Sequence, residues 1–191
     1  MALSPEDRQY LLTLARQSIT RALEGQDPPE VDLNTVSEAL RRPGASFVTL
    51  TIGGELRGCI GSIEPRRPLV LDVQENAIAA AFHDPRFPPL NRRELDRTHI
   101  EISVLTVPQL LEYDGPADLL GKLRPGVDGV IIERGWHRAT FLPQVWEKLP
   151  DPHEFMAHLC LKAGLSADDY RRPGLRVYTY QVEMFEEEPA K

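Results

Sequence analysis

Cysteine is scarce in this chain: 191 residues hold two, Cys59 and Cys160. They lie far apart in unlike contexts, which excludes a disulfide framework and fits a reducing cytoplasm. No Cys-x-x-Cys pair occurs, and His153 and His158 are five apart, off the spacing that aligns two ligands on one helix face. No metal site is therefore expected, since nothing in the spacing requires a set such as Cys59, His83 and Asp84. No apolar run is long enough to span a bilayer and no apolar leader opens the chain, so neither a membrane protein nor a secreted precursor is expected. Basic charge is in deficit: 22 Lys and Arg stand against 29 Asp and Glu, a net charge of −7. That balance speaks against nucleic-acid binding, which needs a basic surface. The arginine pairs 41–42, 66–67 and 92–93 read as solvated loop charges. A phosphate-cradling loop is missing as well, because Gly126-Val127-Asp128-Gly129 precedes a strand rather than a helix. There is no internal repeat and no low-complexity linker.

Hydrophobic residues make up 41% of the chain, enough for one core with two lobes. Ser4-Pro5-Glu6-Asp7 is a helix start, and Leu11, Leu14, Ala15, Ile19 and Leu23 continue a helical stripe to Gly25. A short helical segment is expected around Val36–Leu40. Residues 46–52 read as a strand, and Gly53-Gly54 as a tight hairpin into a second strand from Glu55. Regular alternation along that strand puts Arg57, Cys59 and Gly61 on one face and Leu56, Gly58 and Ile60 on the other. Gly58 and Gly61 weaken a strand, so they suggest a bulge or a close approach to the backbone.

Leu69–Phe82 is helical, with Asp72, Gln74 and Glu75 off its apolar face and small residues that let it lie close to a sheet. The loop His83-Asp84-Pro85-Arg86-Phe87 follows, with Asp84 forced out of the helical region by Pro85. Thr98–Val107 is a strand, 117–123 a short helix, and Val130–Arg134 with His137–Leu142 a second hairpin. A helix runs from Asp151-Pro152 to Gly164. Leu175–Phe185 reads as one last strand before the acidic tail, residues 186–191, which is expected to fray. Hairpins interspersed with helices, without βαβ alternation, predict an α+β fold: a two-lobed domain over residues 1–185 with a largely antiparallel sheet flanked by helices.

Taken in order, Phe47-Val48-Thr49-Leu50, Leu56-Arg57-Gly58-Cys59-Ile60-Gly61, Asp84-Pro85-Arg86-Phe87, Glu101-Ile102-Ser103-Val104-Leu105, Phe141-Leu142-Pro143-Gln144-Val145 and Lys162-Ala163-Gly164-Leu165 resemble the AMMECR-type family, whose prokaryotic members are the A proteins of the AmmeMemoRadiSam system. The resemblance spans about residues 8–185. It implies a two-lobed α+β fold and links to a Memo-like protein and a radical-SAM protein. It names neither a settled reaction nor a cofactor. Its motifs fall on Arg57, Gly58, Cys59 and Gly61, and on Asp84, Arg86 and Phe87.

Two readings of these residues stand side by side. In the first, a cytosolic enzyme or enzyme component uses Cys59 as a nucleophile, because a thiol next to a guanidinium gains thiolate character. Arg57, Gly58, Gly61, Asp84, Arg86 and Phe87 then bind an anionic small molecule, whose carboxylate or phosphate a guanidinium fork matches. His83 is a candidate base. In the second, Cys59 is a small filler, Asp84 and Arg86 brace a corner, and the chain is a non-catalytic scaffold partner. Cys160 reads as core packing.

Overall fold

A computed structural model of the chain describes residues 3–188. They divide into two compact units, one formed by residues up to Leu105 together with those from Glu183 on, the other by Thr106–Val182. The architecture is α+β, with six α-helices and two sheets among the described residues.

In the first unit, α1 (Pro5–Leu23) opens with a reciprocal cap. The Asp7 N–H donates to Ser4 Oγ at 3.0 Å, and the Ser4 N–H to Asp7 Oδ2 at 3.2 Å. After α2 (Glu38–Arg41) come β1 (Pro43–Ile52) and β2 (Glu55–Gly61), joined across Gly53 and Gly54 at φ 60° and 84°. These are the left-handed values that a two-residue primed turn demands. The two-residue β3 (Arg67–Pro68) pairs with the start of β1, and α3 (Leu69–Phe82) follows directly. Short α4 (Arg92–Leu95) leads into β4 (Thr98–Leu105). The sheet order is β2-β1-β4-β9, with β9 spanning Val182–Glu186.

Val48 and Leu50 of β1 and Ile100 and Ile102 of β4 are fully buried on the face toward α3, whose Val70, Val73 and Ala77 are also buried, while α1 packs on α3 from outside. Each large aliphatic side chain so buried favours folding by roughly 1.5–3 kcal/mol. Asp72 departs from the expectation. It lies under the sheet, 1% exposed, and its Oδ2 accepts from the Ser46 N–H at 2.9 Å and the Ser46 Oγ at 2.7 Å. Asn76, Ser62 and Arg67 complete the set. Burial is tolerated because every carboxylate lone pair finds a donor.

In the second unit the sheet order is β5-β8-β6-β7, from Gln109–Leu110, Arg176–Tyr180, Gly129–Arg134 and His137–Phe141. Helices α5 (Gly115–Lys122) and α6 (Pro152–Lys162) accompany it. Its core includes Trp146 and Phe155, stacked in parallel at 3.7 Å, and fully buried Cys160.

The segment expected as one final strand is two. Tyr180 ends β8 in the second sheet and Val182 begins β9 in the first, with Gln181 between them; the Gln181 N–H donates to Thr106 Oγ1. The acids after it do not fray as expected. Glu186 closes β9, and Glu187 accepts from Arg16 and from the Ile100 N–H. Residues 189–191 of that tail lie outside the described residues. No described helix is long and apolar enough to cross a membrane.

Candidate functional site

The β1–β2 pairing holds the motif. Leu50 faces Gly58 but Thr51 faces Leu56, so Arg57 is an extra residue in β2, a bulge. Regular alternation therefore fails: Leu56, opposite Thr51, comes round to the face of Cys59, opposite Thr49. The Arg57 side chain is only 11% exposed. Its Nε and Nη2 fork onto Glu94 at 2.9 and 3.1 Å, and Nη2 also donates to the Pro88 carbonyl at 2.9 Å. This fork holds the Glu94 carboxyl below its usual range despite partial burial. Arg57 thus anchors the segment after α3 to β2, and two of its three nitrogens are not free for a ligand.

Asp84 and Arg86 close on the other end of the motif. β2 is an edge strand, and its outward Cys59 peptide groups need partners. The Cys59 N–H donates to Asp84 Oδ2 at 2.9 Å, and Arg86 Nη2 donates to the Cys59 carbonyl at 3.2 Å. Arg86 Nε and Nη2 meet Asp84 Oδ1 and Oδ2 at 3.0 and 2.8 Å, and the Arg86 N–H adds a bond to Oδ1. One acid and one base so imitate the neighbouring strand that β2 lacks. The Arg86 side-chain bonds hold the Asp84 carboxyl well below its usual range; burial opposes this, and the Cys59 and Arg86 amides add to it. The same pairing raises Arg86. Both guanidiniums lie over the Phe87 ring, Arg57 at 5.8 Å and Arg86 at 5.6 Å. His83 caps α3 and is exposed, and its side chain makes no hydrogen bond among the described residues.

The motif glycines have internal reasons. A Cβ on Gly58 would stand 2.1 Å from the Ala80 carbonyl oxygen of α3, and one on Gly61 would stand 2.3 Å from the Phe47 ring. Close approach to the backbone does occur, as expected, but the approaching groups belong to the protein itself.

Cys59 is half-buried on the sheet face away from α3. The Thr49 hydroxyl donates to its sulfur at 3.3 Å. Register sets Cys59, Thr49 and Glu101 in one cross-strand row, with Leu56, Thr51 and His99 in the next. Burial pushes the Glu101 carboxyl up and Glu186 adds to this, with His99 opposing. Thr49, Glu94 and Glu101 were not singled out from sequence. Alternation marked β1 and β4, but which strands pair, and in what register, has no local signal. Among the described residues, no three His, Cys, Asp or Glu side chains are grouped to hold a metal ion. Cys160 is sealed in the second unit, where burial pushes its thiol up to about 11.

Comparison with known proteins gives a consistent result. The family model described as AMMECR1 matches residues 12–185. A protein of Methanothermobacter thermautotrophicus is 43% identical over 187 residues, covering 97% of each chain. One from Thermofilum pendens is 41% identical over 204 residues, covering 99% of this chain and 93% of its own. The crystal structure of an uncharacterized protein, PH0010 from Pyrococcus horikoshii, is similar with a TM-score of 0.80 at 37% identity, covering 97% of this chain and 94% of the other.

Proposed function

From the premise that the chain belongs to the AMMECR1 family, we propose that it is a cytoplasmic enzyme or enzyme component that transfers a group from an anionic small molecule through Cys59, in company with a Memo-like and a radical-SAM protein. One observation carries this reading: the Cys59 N–H and carbonyl are fixed by the Asp84–Arg86 pair, while the residue is only part-buried and its sulfur has a hydroxyl donor at 3.3 Å. A nucleophile held this way loses little freedom on reaching its attack geometry. Arg86 keeps Nη1 without a protein partner among the described residues and its side chain is 55% exposed, so it can meet a carboxylate or phosphate beside the thiol. In an acyl transfer, the thiol gives up its proton to solvent and Sγ attacks the acyl carbon. The bond to the leaving group breaks, and that group departs with the electron pair and takes up a proton. The thioester then hands its acyl group to an acceptor.

The test is acylation by p-nitrophenyl acetate, with the adduct located by mass spectrometry. A Cys59 adduct forming faster than on free cysteine, and slowed by Arg86→Gln, is expected. Labelling of Cys59 no faster than of free cysteine, in a protein whose fold is intact, overturns the reading. A docking role is the second reading, favoured by Leu56 at 43% and Ile63 at 38% exposure in and just after β2. If Leu56→Asp abolishes binding to the Memo-like protein while Cys59→Ser leaves pathway output unchanged, docking is the function.

A further inference from the structure

The second unit carries a cleft that the Cys59 site does not use. It encloses about 380 Å³, and its apolar walls include Leu111, Tyr113, Pro116, Tyr170 and Leu175. A second cavity of about 440 Å³ shares Pro116, Tyr170 and Arg171 with it. Three arginines, Arg171, Arg172 and Arg176, line the first cleft, and Glu112 is the acid among the lining residues. Basic side chains thus outnumber acids on its wall, although Asp168, Asp169 and Glu133 stand behind them.

The loop that displays the arginines is fixed from within. Arg134 pairs with buried Asp169 at 2.6 Å, donates Nη1 to the Pro173 carbonyl at 3.0 Å, and directs Nη2 at the Arg172 carbonyl at 3.4 Å. Gly174, at φ 90°, makes the turn that follows. The three displayed guanidiniums are only partly engaged. Arg171 uses Nε, toward the Tyr170 hydroxyl at 3.3 Å and Asp168 at 3.8 Å. Arg172 uses Nη1, 3.5 Å from Asp169, and Arg176 uses Nη2, 3.1 Å from Glu133. Each guanidinium has five N–H donors, so the remaining nitrogens have no partner among the described residues. Their side chains are 56%, 72% and 63% exposed.

Apolar walls of this size with a few placed polar groups make a small-molecule site, and several guanidiniums around one opening suit an anion with several charged oxygens. We propose that this cleft binds a small phosphate monoester with a flat apolar body, the phosphate among Arg171, Arg172 and Arg176 and the body against Tyr113, Pro116 and Tyr170. The site is independent of the Cys59 chemistry.

Titration of the full chain with phenyl phosphate, followed by calorimetry and by amide NMR shifts, tests it. Saturable binding is expected at millimolar probe or below, with shifts in residues 171–176. Phenylacetate and inorganic phosphate should bind more weakly. Arg172→Gln and Arg176→Gln, both at exposed positions, should each weaken phenyl phosphate by about tenfold, while Cys59→Ser leaves it unchanged. No saturable binding, equal binding of inorganic phosphate or phenylacetate, or affinity unchanged in both arginine variants overturns the assignment.

Discussion

Replacing Asp84 by alanine tests the clamp most directly. The carboxylate, 2% exposed in its side chain, accepts from the Cys59 N–H, the Arg86 N–H and two Arg86 guanidinium nitrogens. In the variant the Arg86 side chain can turn into water, so the loss centres on the Cys59 amide. Leaving a largely desolvated donor without an acceptor costs about 1–3 kcal/mol. At a central value of about 2 kcal/mol, a chain of this length should melt about 4–8 °C lower. Thermal unfolding by circular dichroism reads that shift, and amide exchange at Cys59 reads its local cause. The pH dependence supplies a check. Asp84 has its folded pKa below its ordinary 3.8, so its contribution is fully present above that value and is lost as pH falls through the folded pKa. The gap between wild type and variant should therefore narrow below about pH 4. An Asp84→Ala protein that melts within about 1 °C of wild type, with unchanged Cys59 exchange, would refute the assignment of these bonds.

Gly58→Ala must move the Ala80 carbonyl of α3, and should cost about 1–3 kcal/mol in urea unfolding; Gly121→Ala in α5, with open space around its Cβ position, should be neutral or stabilise by up to about 1 kcal/mol. In the native protein iodoacetamide should label Cys59 and spare Cys160, whose buried thiol is pushed up to about 11; mass spectrometry after a short pulse distinguishes them, and equal labelling would contradict the burial. Glu187→Gln should lower the melting temperature by weakening the contacts to Arg16 and the Ile100 amide, whereas a freely fraying tail would show no change.

What could be read from sequence was local. Gly53-Gly54 announced the hairpin, Ser4-Pro5 the first helix, and the spacing from Leu69 to Phe82 the third, because each signal lies within a few residues of its effect. Gly58 and Gly61 suggested a bulge or a close approach; what was hidden was the partner of Arg57, because Glu94 sits 37 positions away. Asp72 was placed off the apolar face of its helix, and its burial could not be read because its donors Ser46 and Ser62 belong to other elements. The division at Gln181 was hidden too: Tyr178 to Val182 is continuous in β propensity, and only the two sheets' competing hydrogen bonds separate it. Of the candidate site, the residue types were legible, and bracing by Asp84 and Arg86 stood as one of two readings; its target, the Cys59 backbone 25 positions away, was not legible. The paired arginine and acid that suggested a receptor for an anion turn out to secure the backbone that carries the thiol.

The break at Gln181 bears on biosynthesis. Residues 106–182 are contiguous and leave the ribosome with their whole sheet in hand, whereas the first sheet waits for β9. Although its helices and hairpin are translated first, the amino-terminal half is the last to be completed. Until Val182–Glu186 arrives, the outer side of β4 is a vacant seat for any nascent strand nearby.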